Sequence, residues 1–140
     1  MTVLSDSSYS VLLIFDGVCV LCNKTVSYII SKDNEEKFCF TSNDSLTARK
    51  IMNIHNLDAE KNNSVILYEI HTQKIYTRAM ALRKIAIHLK GISKLSYIAF
   101  FMPRFFLDRI YNIIARYRYK IYGTLKACPL NSEIKKRYIY

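Results

Sequence analysis

Two cysteines, Cys19 and Cys22, stand three positions apart with Val20 and Leu21 between them. Thiols at this spacing come within disulfide range when they occupy the first turn of a helix, where positions three apart stack one turn on another. Unpaired N–H groups and the positive end of the peptide dipoles stabilise a thiolate there. Thiols of such pairs fall from about 8.5 to roughly 3.5–7.5. The chemistry is attack on a substrate disulfide, a mixed disulfide, and resolution by the second thiol. Cys19, nearer the helix end, is expected to be the exposed nucleophile, and Cys22, deeper, the resolving thiol. Asp16 lies three residues before Cys19. It could move a proton during exchange, or it could form an Asx turn or helix cap. Lys24, one turn on, could favour the thiolate or be a solvated surface lysine. Zinc is the competing chemistry, but structural sites use two closely spaced ligand pairs. Cys39 and Cys128 stand singly, and none of His55, His71 and His88 pairs with another ligand. A third reading is two buried cysteines without chemistry. No metal and no cofactor is expected beyond a redox-active Cys19–Cys22 disulfide.

The surrounding elements must place this pair. Residues 11–15, VLLIF, are a short apolar run suited to a strand buried on both faces. The run stops at Asp16-Gly17, a turn signal. Cys22, Val26, Ile29 and Ile30 then share one helical face. A charged loop at 33–37 leads to a strand at 38–41, where Cys39 reads as a buried apolar thiol. Ser42, Asn43, Asp44 and Ser45 offer a cap for a helix over 46–55. Runs at 64–70 and 74–78 suggest a hairpin turning at His71–Gln73, although no Asn-Gly or Asp-Gly is present. Residues 79–90 are amphipathic, and Gly91 stands where a helix-ending glycine belongs. Pro103 fits the first turn of a long helix ending at Gly123, with an apolar stripe of Leu107, Ile110, Ile113 or Ile114, Tyr117 and Ile121. The order is β-α-β-α-β-β-α followed by a helical C-terminal extension. It predicts an α/β thioredoxin-like fold, with a parallel crossover and an antiparallel hairpin at one edge. One domain over 1–140 is expected, with a core at about 10–91 and a basic extension at about 92–140.

The stretch Phe15-Asp16-Gly17-Val18-Cys19-Val20-Leu21-Cys22-Asn23 resembles the DGxCxxC opening of the DCC family of predicted thiol-disulfide oxidoreductases. Its Asp-Cys-Cys set maps onto Asp16, Cys19 and Cys22. Ser64-Val65-Ile66-Leu67 is similar to the family's apolar strand, 110–116 with Arg118, Tyr119 and Gly123 to its C-terminal helix, and Cys128-Pro129-Leu130 to its closing segment. The resemblance implies thiol-disulfide exchange on a disulfide or dithiol substrate. Thr41-Ser42-Asn43-Asp44 replaces the family's Leu-Gln-Ser-like segment, and Ala79-Met80-Ala81 its Ser-x-Ala. Asn62-Asn63-Ser64 carries no proline where thioredoxins proper shape a groove for substrate backbone, and tryptophan is absent.

With 51% hydrophobic and 23% charged residues, a chain of 140 residues holds a core without staples, which excludes disordered and disulfide-scaffold classes. The net charge of +10 is uneven, since nine basic and two acidic residues fall between Arg104 and Arg137. Those cations, interleaved with Tyr111, Tyr117, Tyr119 and Tyr122, suit an acidic partner, an anionic membrane surface with 95–107 as interfacial segment, or a solvated face. Nucleic acid is not expected, because no binding motif accompanies the charge. Cys128 could fold back as an extra thiol or be structural. The N-terminus lacks a basic and apolar signal pattern, and no apolar run reaches spanning length, so a cytoplasmic location is expected.

Overall fold

The computed structural model describes residues 8–58, 64–89, 100–126 and 132–139. Strand β1 (Val11–Phe15) leads into helix α1 (Val20–Lys32), strand β2 (Phe38–Ser42) and helix α2 (Leu46–Ile54). Strands β3 (Ile66–Glu69) and β4 (Lys74–Thr77) precede helices α3 (Arg78–His88), α4 (Arg104–Tyr122) and α5 (Ser132–Lys136). The sheet order is β2-β1-β3-β4. β1 runs parallel to β2, with Leu13 opposite Phe40, and antiparallel to β3, with Leu13 opposite Leu67. This is the expected mixed sheet, with β1 central and buried at all five positions.

Strand alternation divides the core into two layers. Val11, Leu13, Phe15, Phe38, Phe40 and Leu67 meet α1 and α3 through Val26, Ile29, Ala81 and Ile85. Leu12, Ile14, Cys39, Ile66 and Tyr68 meet α2 through Ala48, Ile51 and Met52. The order and layers are those of a thioredoxin-like fold carrying a further C-terminal helix.

Local chemistry sets the boundaries. Ser45 caps α2 by accepting Ala48 N–H at 3.1 Å, so one of four candidate caps is used. In the hairpin Gln73 takes the left-handed conformation, φ 56°, that an Asn-Gly turn assigns to glycine. β3 begins two residues later than the apolar run predicts. Val65 N–H donates to the Tyr111 hydroxyl at 2.9 Å, and Val65 carbonyl accepts from Arg78 N–H at 3.3 Å, so both groups serve helices instead of a strand partner. Gly123 ends α4 at φ 79°, a conformation that favours glycine. Gly91 and the Asn62-Asn63 pair lie outside the described residues.

The C-terminal segment returns to the sheet. Ile134 of α5 joins the core, and Tyr138 bridges Phe40 on the free side of β2. Phe40 N–H donates to Arg137 carbonyl at 2.9 Å, and Ile139 N–H to Phe40 carbonyl at 2.8 Å. These bonds cover an edge that would otherwise be open to strand pairing. Among the described residues no helix is long and apolar enough to cross a membrane.

The apolar stripe of α4 stays largely outside the core. Ile110, Ile113, Ile114, Tyr117 and Ile121 all stay substantially exposed, and the buried residue of the helix is Arg118. Polar bonds from Tyr111 and Arg118 turn the adjoining face inward.

Candidate active site

The buried strand β1 delivers the chain to a tight turn at Asp16–Cys19, closed by Cys19 N–H donating to Asp16 carbonyl at 3.2 Å. Asp16 Oδ1 accepts Val18 N–H at 3.1 Å, so the Asx-turn reading of Asp16 holds. Asn23, 7% exposed, locks the turn from inside α1. Its Nδ2 donates to Gly17 carbonyl at 2.8 Å and to Cys19 carbonyl at 2.9 Å. Cys19 is the N-cap residue of α1, and its Sγ accepts Cys22 N–H at 3.3 Å. Both are free thiols, at the head of the helix as the spacing predicts.

One expectation is corrected. Cys19 is not exposed; it is 0% accessible, whereas Cys22 is 8% accessible. The chain beyond α4 covers Cys19. Thr124 forms a bridge with it, and Leu125 N–H donates to Val18 carbonyl at 2.8 Å. Cys22 instead lines an apolar cavity of about 350 Å³ between α1, α3 and α4, with Leu21, Val65, Leu107, Ile114 and Arg118 among its walls.

Helix α4 supplies what the N-terminal motif lacks. Arg118, 4% exposed, donates from Nη2 to Asp16 Oδ2 at 3.3 Å and from Nη1 to Cys22 Sγ at 3.9 Å. The Tyr119 hydroxyl donates to the same Asp16 oxygen and accepts from Arg118 Nη2 at 3.1 Å. Burial and the bond to Asp16 push Tyr119 up to about 12, which keeps it a donor. Burial, the hydrogen bond with Cys19 and the charge of Cys19 push the Cys22 thiol up to about 12, against the pull of Arg118. Burial opposes the Arg118 cation, yet the anionic forms of Cys22 and Tyr119 hold it above its ordinary range.

The structure brings Asp16, Cys19 and Cys22 together. Lys24 is exposed, with its ammonium 5.8 Å from the Tyr122 ring centroid. Cys39 is distant from the pair in the other core layer, donating to Val11 carbonyl at 3.4 Å; burial pushes it up to about 12. Cys128 lies outside the described residues. Among the described residues no three His, Cys, Asp or Glu side chains gather as a metal set would. Asn23, Tyr111 and Tyr119 are site residues that spacing did not single out. Arg118 falls in the C-terminal helix segment of the family resemblance, with no spacing signal tying it to the thiols, and Arg116 stays on the exposed face.

A cysteine pair capping α1, with an Asp–Arg–Tyr cluster closing over it, is the arrangement on which the comparisons bear. Residues 13–124 match the family model described as DCC1-like thiol-disulfide oxidoreductase. The chain belongs to that family. It is 36% identical over 128 residues to YuxK, an uncharacterized protein of Bacillus subtilis (strain 168), covering 91% of this chain and 92% of the relative. It is 28% identical over 120 residues to a chloroplastic DCC family protein of Arabidopsis thaliana, covering 85% of this chain and 69% of the relative. No solved structure matches. The matched span ends at Thr124, the residue bridged to Cys19, so it includes α4 as well as the cysteine motif.

Proposed function

We propose that this DCC1-like family member exchanges disulfides through Cys19 and Cys22, cycling between a dithiol and a Cys19–Cys22 disulfide. The observation that carries the reading is Cys19 Sγ at the N-cap of α1, 3.3 Å from Cys22 backbone nitrogen, with Arg118 against Cys22. Burial raises the Cys22 thiol, and Cys19 holds the N-cap position of α1, so the first attack is assigned to Cys19. Its sulfur bonds to one sulfur of the substrate disulfide, and the other leaves as thiolate and takes a proton. Cys22 then attacks Cys19, forms the protein disulfide, and releases the second substrate thiol. Two electrons and two protons pass to the substrate, and the reverse sequence oxidises a dithiol. Attack by Cys19 requires the Thr124–Leu125 strap to lift from Val18–Cys19.

Asp16 is proposed as a positioning residue: it anchors the turn through Val18 and holds Arg118 against Cys22. The substrate is a disulfide or dithiol reaching the pair beside the apolar cavity. The basic face of α4 is proposed to serve docking and not chemistry.

The test is equilibration of the pure protein in a graded thiol/disulfide buffer, followed by mass mapping and alkylation of Cys19 across pH. A Cys19–Cys22 disulfide with a defined potential, abolished by Cys19→Ser and by Cys22→Ser, is expected. A protein that stays a dithiol across the whole redox range would refute the reading.

A further inference from the structure

Helix α4 turns the usual logic of an amphipathic helix outward. At 100° per residue, Phe106, Ile110, Ile113, Ile114, Tyr117 and Ile121 fall within one sector. Every one of them is exposed, Ile121 at 71%. Just before and at the start of the helix, Phe101 is 85% and Phe105 65% exposed. The adjoining face is the inward one, held by the Tyr111 hydroxyl on Val65 and by Arg118 on Asp16. Ile110 and Ile114, at the inner margin of the sector, also line the cavity beside Cys22; the rest of it, Phe106, Ile113, Tyr117 and Ile121, is an unpartnered apolar face. Contiguous apolar surface of this kind marks an interaction site.

Its neighbours say what covers it. Arg109, Arg116 and Lys120 form a second exposed stripe directly beside the apolar one. No ion pair among the described residues engages them; Lys120 lies 5.9 Å from the Tyr117 ring centroid. The apolar sector itself contains no charged residue. A second copy of this face would bring cation against cation, so charge argues against self-pairing. A surface that is apolar below and anionic above complements both stripes at once.

We propose that α4 lies in the surface of an anionic lipid bilayer, with its apolar stripe and the flanking phenylalanines inserted and its basic stripe among the headgroups. The helix has 19 residues, about 28 Å at 1.5 Å per residue, and lies along the surface without crossing it. The proposal is independent of the thiol chemistry.

The test is co-sedimentation of the full chain with phosphatidylcholine vesicles containing phosphatidylglycerol, against vesicles of phosphatidylcholine alone. Binding to the anionic vesicles is expected, and it should fall as salt shortens the screening length from about 10 Å to about 3 Å. Neutralising Arg109, Arg116 and Lys120 together to Gln should weaken binding roughly fivefold per cation, on the order of a hundredfold in all. Phe101→Ser with Phe105→Ser should weaken it about tenfold or more at unchanged charge. All five positions are exposed, so both variants are expected to fold, with the helical circular dichroism of the parent as the check. No binding to anionic vesicles at low salt would overturn the proposal, as would binding that both folded variants leave intact. A concentration-dependent dimer lost in the phenylalanine variant, without vesicle binding, would assign the face to a second copy. Salt-sensitive retention of RNA without vesicle binding would assign it to nucleic acid.

Discussion

Replacing Arg118 by methionine separates a guanidinium that organises the thiol site from one that merely fills space. The side chain is 4% exposed and sits 3.3 Å from Asp16 Oδ2, itself in a residue 7% exposed. At an effective dielectric near 20, unit charges 3.3 Å apart attract by about 5 kcal/mol. Desolvation offsets much of that, so the intact pair contributes far less than the figure suggests. Breaking it is different. Arg118→Met leaves the Asp16 carboxylate buried with only Tyr119 and Val18 N–H as donors, and a loss of about 3–5 kcal/mol is expected. Asp16→Asn keeps an acceptor for Val18 but strands the cation, with a similar loss. The double variant strands neither, so its loss should fall short of the sum by about 2–3 kcal/mol.

Urea unfolding at neutral pH measures all four proteins, with an unchanged slope as the condition for comparing midpoints. Additivity within about 0.5 kcal/mol would show that the two side chains do not act on each other. A second readout isolates the effect on sulfur. Arg118 pulls the Cys22 thiol down against burial. In a Cys19→Ser background, Arg118→Met should therefore slow alkylation of Cys22 at a given pH. An unchanged alkylation rate in a destabilised variant would leave Arg118 a purely structural residue.

Asn23→Ala removes the donors to Gly17 and Cys19 carbonyls and should cost about 1–3 kcal/mol in the urea midpoint; a change within about 0.5 kcal/mol would mean the turn is held by other bonds. The buried Cys39 thiol has its pKa raised from 9.0 to about 12, so the folded state keeps a proton that the unfolded state gives up. Its contribution is whole below 9.0 and is lost as pH rises from there toward 12, and Cys39→Ala should flatten that part of the stability profile. Arg137→Ala breaks the ion pairs to Asp33 at 2.8 Å and Glu36 at 3.3 Å. It should speed hydrogen exchange of the Phe40 amide, which donates to Arg137 carbonyl, while leaving Leu13 in the central strand unaffected.

The N-terminal half of the site is legible because its signals are local. An apolar run ending at Asp16-Gly17 and a cysteine pair heading an amphipathic run need only neighbours in sequence to be read, and β1, the turn and α1 follow. The hairpin was readable from alternation, although Gln73 supplies the turn conformation that composition would assign elsewhere. What spacing could not give was the company that the pair keeps. Arg118 and Tyr119 reach Asp16 across about a hundred residues, a separation over which periodicity carries no information. The burial of Cys19 fails to follow from its place at the helix end for the same reason: the segment covering it arrives only after α4.

The orientation of helix α4 does not follow from its apolar stripe, although apolar residues are the default inward face. Here the inward face is chosen by polar bonds that only one rotation of the helix satisfies. A turn of 100° about the axis would detach Tyr111 from Val65 N–H and Arg118 from Asp16 together, leaving a buried carboxylate and a buried amide without those partners. Burying more isoleucine would yield about 1.5–3 kcal/mol per side chain. Stranding the carboxylate alone costs about 3–5 kcal/mol, and the unpaired amide adds about 1–3. The polar anchors therefore offset a rotation that would bury one or two isoleucines, and they hold a register that hydrophobicity alone would not select. That register directs Arg118 to the thiol pair and the apolar stripe to the outside. A variant that loosens the anchors should then disturb Cys22 reactivity and expose the helix to rotation at once, so the two effects in Arg118→Met ought to appear in the same urea range.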